Sequence, residues 1–347
     1  MSNSVDYMTL VPGDKFSKVQ DYSRHGDIKE YLAELIGEPF REYRRLWNQA
    51  TRLQLETKFP LYLSLETQLK CNLRCIMCAY SVPEEIERQY YPERMSEAMF
   101  DKILNEACRN YCPSIGFNVL NEPLMDPNII NRIRKAVDAG FIDLRMNTNA
   151  ILLTEDKAEQ IVDSGLTQLY VSLDANTEET YQKVCIGSDY AKVMRNVNRF
   201  LQLRNKKGKK LPILRVSFVR LSINEHEIPG FIDYWKDKAD MVTIQEYKPP
   251  VINEAFLAKH AKSKRIPTYY TCSQPFERLT IKGNGIVTAC CTQYNYKLKV
   301  GDLNEESIYE IWNSEKMRTL RRHMKEFTWE SLPVCSTCLK SSYLYTG

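Results

Sequence analysis

Long apolar runs are missing from this sequence. No window approaches the roughly 18 consecutive apolar residues that a membrane-spanning helix needs, so a membrane span is not expected. The N-terminus, MSNSVDYMTLVPGDK, lacks the basic-then-apolar pattern of a secretory signal, which makes the cytoplasm the expected compartment. Net charge is slight, at +4 from 48 Lys and Arg against 44 Asp and Glu. One dense basic run, RNKKGKK at 204–210, falls between a helical pattern and a strand pattern. It reads as a solvated loop rather than a nucleic-acid patch, so neither nucleic acid nor membrane is an expected partner. The rest, 43% apolar and 27% charged over 347 residues, is ordinary globular composition. It suffices for a large α/β barrel with an appendage.

Cysteine, by contrast, is plentiful. Eleven cysteines in a reducing compartment argue for metal binding or catalysis rather than disulfides. Seven fall into two groups. Cys71, Cys75 and Cys78 form CNLRCIMC, directly after the apolar stretch LYLSLETQ. A structural zinc site is closed by four ligands, and cubane iron–sulfur clusters usually have one thiolate on each of four irons. Three thiolates would leave one iron open to an exogenous ligand. The competing reading is a zinc ion shared with a fourth residue elsewhere, for which this spacing is poor. Cys272, Cys290, Cys335 and Cys338 form the second group, one on each side of an expected hairpin plus a CxxC. Spacing alone leaves zinc and a four-thiolate cluster both open.

Residues 1–58 are polar, with an amphipathic helix expected over EPFREYRRLWNQATRLQL, and read as a helical cap or lid. Over 59–255, short strand patterns alternate with helical ones. SEAMFDKILNEACRNY has Ser96 as N-cap, and PNIINRIRKAVDAG stops at Gly140, where a left-handed cap is expected. About six such units predict an α/β fold, a partial (β/α)6 TIM-like barrel with its chemistry at the C-terminal strand ends. Residues 256–347 break the pattern. FERLTIKGNGIVTACC predicts a hairpin turning at Asn284-Gly285, ESIYEIWNSEKMRTLRRHM a helix, and the whole a small hairpin/helix cluster-binding domain.

CNLRCIMC resembles the CxxxCxxC signature of the radical S-adenosylmethionine (SAM) enzymes. In that family the methionine moiety of SAM chelates the open iron of a [4Fe–4S] cluster, and reductive cleavage yields a 5′-deoxyadenosyl radical that abstracts a substrate hydrogen. Further segments match in order. LNEP at 120–123 resembles the family's GGEP segment, with Leu120 and Asn121 in place of two glycines and Glu122 where the SAM amino group is held. Asn147 and Asn149 of NTNA fall where the family lines its cofactor cleft. Ser172 and Asp174 resemble positions that reach the ribose or carboxylate. Near YQKVCIGSDY many relatives carry a basic residue, and this chain has Cys185 there. The pattern Cys272, Gly285, Cys290 resembles the opening of the SPASM/twitch extension, whose cysteines hold an auxiliary [4Fe–4S] cluster. The resemblance thus implies SAM, two [4Fe–4S] clusters, a flavodoxin or ferredoxin as electron donor, and a small-molecule substrate. Similar one-cluster enzymes oxidise a secondary alcohol of an aminocyclitol or modify sugars and peptides.

The remaining cysteines admit two readings. Cys185 and Cys291 are candidate hydrogen donors to a substrate radical, which would make the enzyme an epimerase, or else core thiols. Cys108 and Cys112 are expected on one helix, packed on the sheet. His226, His260 and His323 read as structural or exposed, and tyrosines near 269–270 and 294–296 as packing or pocket rim. Arg215 and Arg220 face opposite ways, so one is expected to point into the barrel.

Overall fold

The computed structural model of the chain describes residues 20–81, 94–247, 271–290 and 297–344. Strand β1 (Gln20–Ser23) precedes helices α1 (Ile28–Ile36) and α2 (Glu38–Thr51), which join at Gly37. In α2, Phe40, Tyr43, Trp47 and Ala50 recur every three or four residues and are all buried, giving one apolar stripe. Next come β2 (Tyr62–Leu65), the two-residue β3 (Arg74–Cys75), α3 (Glu97–Asn110) and β4 (Ser114–Gly116). The alternation continues with α4 (Ile129–Asp138), β5 (Asp143–Thr148), α5 (Glu155–Val162) and β6 (Gln168–Ser172). It closes with α6 (Glu178–Val184), the short β7 (Cys185–Ile186), α7 (Tyr190–Lys206), β8 (Ile213–Arg220), α8 (Ile228–Trp235) and β9 (Met241–Glu246).

Strands β2, β4, β5, β6, β8 and β9 pair in that order, each parallel to the next. This is the expected partial TIM-like barrel. Every residue of β2 is buried, as a parallel strand covered on both faces requires. Ser96 caps α3 by accepting from the Met99 N–H (3.1 Å), and Gly140 sits at φ 90° after α4. Both were legible from the chain.

The C-terminal region holds one helical turn, α9 (Gln274–Glu277), then β10 (Arg278–Ile281), β11 (Ile286–Thr288) and β12 (Lys299–Asp302). Helices α10 (Ile308–Trp312), α11 (Glu315–Lys325) and α12 (Pro333–Leu344) follow. The hairpin turns at Asn284-Gly285 as expected, with Gly285 at φ 92° and the Ile286 N–H on Asn284 Oδ1 (3.1 Å). Its placement was not foreseen. β10 runs parallel to β2, and β1 runs antiparallel to β9. The barrel sheet therefore extends at both ends into one ten-stranded sheet.

Four local expectations need correction. The helix expected over 306–324 is two helices, because Ser314 caps α11 one residue past Asn313 and restarts the chain. VCSTC lies inside α12. Cys112 is beyond the end of α3, after Tyr111 in the left-handed region, so Cys112 is buried while Cys108 is exposed. Arg204, in the basic run, is buried against Asp240 and the Pro212 carbonyl (2.9 Å). A large core fills the space between sheet and helices, and a second core joins α1 and α2 to Leu61, Tyr62, Ile213, Phe276 and Met324. The N-terminal helices and the C-terminal region thus meet at the N-terminal ends of the strands.

Candidate cluster and cofactor site

After β2 the chain turns at the C-terminal edge of the sheet, where parallel α/β folds place their chemistry. The cysteine loop is shaped by its own backbone. The Cys78 N–H donates to the Cys75 carbonyl (3.0 Å) and the Ser81 N–H to that of Cys78 (2.9 Å). Ser81 Oγ also donates to the Cys75 carbonyl (2.8 Å), and the Tyr80 N–H reaches Cys78 Sγ (3.4 Å). Arg74 ties back the start of the loop, donating to the carbonyls of Cys71 (2.9 Å) and Leu73 (2.8 Å) over the Tyr80 ring. β3 pairs antiparallel with β7, setting Cys75 opposite Cys185.

Cys71, Cys75 and Cys78 are half-buried and share one space. Burial, then the charges of Glu122, Cys75 and Cys78, pushes the Cys71 thiol up to about 12. Burial, with Cys75 and Asp174 beside it, pushes Cys78 up to about 11. Thiolates here need a positive centre to persist. Among the described residues no three His, Cys, Asp or Glu side chains are grouped so as to hold a metal ion. Tyr181 bears on what the trio holds. It is wholly buried, among the described residues its hydroxyl has no hydrogen-bond partner, and Cys185, Asp174, Cys75 and Glu122 surround it. Such a donor suits the sulfur acceptors of a cluster better than a bare ion. The residues present fit an iron–sulfur cluster.

Of the expected SAM-side residues, Glu122 and Asp174 lie beside the trio and Asn149 bonds to its loop. Glu122 is buried and binds the chain itself: it accepts from the Leu124 N–H (3.0 Å), Thr148 Oγ1 (2.7 Å) and the Asn149 N–H (2.8 Å). Burial raises its pKa despite these donors. Asn121 shapes its own turn, accepting from the Val119 N–H (2.9 Å). Asn149 Nδ2 donates to Asn72 Oδ1 (2.8 Å), locking the end of β5 to the cysteine loop. Asn147 is exposed on β5, and Ser172 is half-buried at the end of β6. Asp174 follows at φ 56°, buried, with Oδ1 on the Val219 N–H (2.7 Å); burial lifts its pKa to about 7.

Cys185 is 2% exposed and hydrogen-bonds with Cys75, which with burial raises its pKa well above the ordinary thiol range. The structure thus sets this candidate hydrogen donor against Cys75 of the trio. Cys291, His260 and the tyrosines at 269–270 and 294–296 lie outside the described residues. His226 is exposed, and His323 bonds to Thr328 Oγ1 (2.7 Å).

The second group also assembles. Cys272 precedes α9, Cys290 follows β11, and Cys335 and Cys338 lie one turn apart on α12. Burial, then the charges of Cys338, Cys290 and Cys335, raises Cys272 well above the ordinary range, so all four thiols share one neighbourhood. Burial and Cys338 push Cys335 up to about 12.

Two residues that sequence reasoning missed join the barrel to the C-terminal hairpin. Glu66, next after β2, is 1% exposed; it accepts from the Leu120 N–H (3.3 Å) and from Lys282 Nζ (3.1 Å), itself 3% exposed. The available signal was a carboxylate inside the apolar run LYLSLETQ.

The structure thus joins a parallel partial barrel, a thiol trio at its strand ends and a thiol quartet in the C-terminal region. Residues 65–233 match the model of the radical SAM superfamily, and residues 272–339 match that of the SPASM iron–sulfur cluster-binding domain. SAM, a SAM-binding [4Fe–4S] cluster and auxiliary cluster binding come with these domains. A GTP 3′,8-cyclase of Clostridium botulinum is 30% identical over 189 residues, covering 54% of this chain and 56% of its own, so the chain spans about half of that relative. The tungsten-containing aldehyde ferredoxin oxidoreductase cofactor-modifying protein of Pyrococcus furiosus is 25% identical over 316 residues, covering 79% of this chain and 87% of its own. Among solved structures, BtrN in complex with AdoMet and 2-DOIA has a TM-score of 0.54 at 16% identity, covering 84% of this chain and 99% of its own. At that identity the likeness is one of fold. Among the described residues no helix is long and apolar enough to cross a membrane.

Proposed function

We propose that the chain is a cytoplasmic radical SAM oxidoreductase that dehydrogenates a small polar substrate of the sugar, nucleotide-sugar or aminocyclitol type, with a flavodoxin or ferredoxin as electron donor. The observation that supports it best is the pairing of an open trio with a closed quartet. Three thiolates leave a position for SAM, while four saturate a single auxiliary cluster and leave it only electron transfer. When bound, SAM on the first cluster supplies a hydrogen-abstracting radical, and the second cluster supplies an electron acceptor. The chain's own residues position and enclose. Asn147 and Ser172 present polar groups at the strand ends, and Asn149 and Glu122 hold those ends to the cysteine loop. A substrate carbon bearing a hydroxyl that loses its hydrogen atom, then the hydroxyl proton and one electron, becomes a carbonyl.

The burial of Cys185 against Cys75 speaks for a role toward the cluster ligand and against hydrogen donation to substrate, the epimerase alternative. The relatives named as GTP 3′,8-cyclases favour a second reading, radical cyclisation of a nucleotide. Modification of a peptide is the remaining class. Anaerobic enzyme incubated with SAM, reductant and candidate polyols, nucleotide sugars or GTP separates these readings. Dehydrogenation predicts one 5′-deoxyadenosine per product and a product lighter by two hydrogens. An isomeric product carrying solvent deuterium, or turnover of GTP alone, would replace the reading.

A further inference from the structure

At the opposite end of the barrel from the cysteines, a cavity of about 410 Å³ lies between helices α1–α2 and the inner face of the sheet. That volume is in the range of small-molecule sites. Strand alternation aims Arg145, Tyr170, Arg215 and Arg278 into it, and α2 adds Arg44 and Trp47. Among the described residues, five cationic side chains, Lys29 with the four arginines, face a single lining carboxylate, Asp21. Behind the wall, Asp143 neutralises Arg145 (Nε to Oδ2, 2.9 Å) and Glu277 pairs with Arg278 (2.7 Å).

Arg215 and Arg44 are held differently. Arg215 Nε donates to Thr243 Oγ1 (2.8 Å), which donates on to Asp21 (2.7 Å), and the guanidinium stacks 4.7 Å over Tyr170. Arg44 lies 5.4 Å from the rings of both Tyr43 and Trp47, and among the described residues its buried Nε meets no acceptor. Among the described residues neither has a carboxylate in salt-bridge contact. Guanidinium groups fixed on aromatic faces keep their donor edges pointing into the space, the arrangement that grips phosphate or carboxylate oxygens. Charge gathered in a partly enclosed cavity calls for a counter-charge.

We propose that this barrel floor is a binding site for a small multivalent anion, either a phosphoester or a polycarboxylate, roofed by the N-terminal helices. None of its lining residues belongs to the cluster and cofactor site, so the inference stands apart from the proposed reaction. The test is calorimetric titration of the cluster-loaded, SAM-saturated full chain with inorganic pyrophosphate and, separately, with citrate. Wild type, Arg215→Gln, Arg44→Gln and the surface control Arg195→Gln are compared. The proposal expects saturable one-to-one binding of at least one anion, weakened about ten-fold or more by each floor substitution and unchanged in the control. Tighter pyrophosphate assigns a phosphoester, and tighter citrate a polycarboxylate. Absence of binding by both anions overturns the proposal, as does an affinity equal in wild type and the floor variants. Should Arg215→Gln fail to fold, Arg44→Gln on the half-buried face of α2 decides alone.

Discussion

The cysteines of the first group fall within CNLRCIMC, whereas those of the second come from three separate stretches around Cys272, Cys290 and the Cys335–Cys338 pair. The first group is shaped by hydrogen bonds within its own loop, and acidic Glu122 and Asp174 stand beside it. The second exists only once the hairpin and α12 have docked, and its thiols chiefly see one another. A local site with a spare position can bind a cofactor. A non-local, saturated site would act, on the proposed reading, as a staple whose metal holds the C-terminal region folded and also carries electrons.

The largest expected effect separates the two groups outright. Cys75→Ala should lower SAM cleavage at least about a thousand-fold and leave about four of eight irons, since each cluster carries four. Iron assay and 5′-deoxyadenosine chromatography read both. Replacing Cys335 and Cys338 together by Ala should remove the same amount of iron yet keep SAM cleavage within about ten-fold, because no SAM contact is lost. Product formation should stop and hydrogen exchange in α12 should quicken. Loss of SAM cleavage in that variant would mean that the sites are not separable.

A smaller effect tests how the regions are joined. Lys282→Met leaves the buried Glu66 carboxylate without its cation, and breaking such a pair costs about 3–5 kcal/mol. Denaturant unfolding measures it, and a loss under about 1 kcal/mol would show that the pair is no strut. The smallest effect belongs to neither site. Burial alone would raise Asp240, but Arg204, His25 and the Leu214 N–H hold its carboxyl below its ordinary value of 3.8. A lowered folded pKa contributes stability above the ordinary carboxylate range, lost as pH falls through the folded value. Asp240→Asn should therefore flatten the acid limb of the stability curve below about pH 4 and cost about 1–3 kcal/mol at neutral pH. An unchanged acid limb would remove Asp240 from the account.

What was legible in the chain was local. The Ser96 cap, the Gly140 stop, the Asn284-Gly285 turn and the spacing of Cys71, Cys75 and Cys78 each depend on residues within a few positions. The six parallel units were legible as well, because alternation of pattern constrains topology. What escaped was set by distant partners. Glu66 and Lys282 meet across 216 positions, and no periodicity announces the pairing of β10 with β2. Cys185 reads as a free thiol until a two-residue ladder sets it opposite Cys75. VCSTC reads as a metal knuckle, yet it lies within a helix that presents its two thiols on one face. The pattern leaves open which of Arg215 and Arg220 faces inward; the stacking that fixes Arg215 comes from Tyr170 on the neighbouring strand.

Electron paramagnetic resonance of the reduced, anaerobic protein, recorded with and without SAM, reaches the central claim most directly. Two cluster signals are predicted: one shifts when SAM is added and disappears in Cys75→Ala, and the other responds to neither change. A single signal, or two that both ignore SAM, would contradict the division into an open and a closed site.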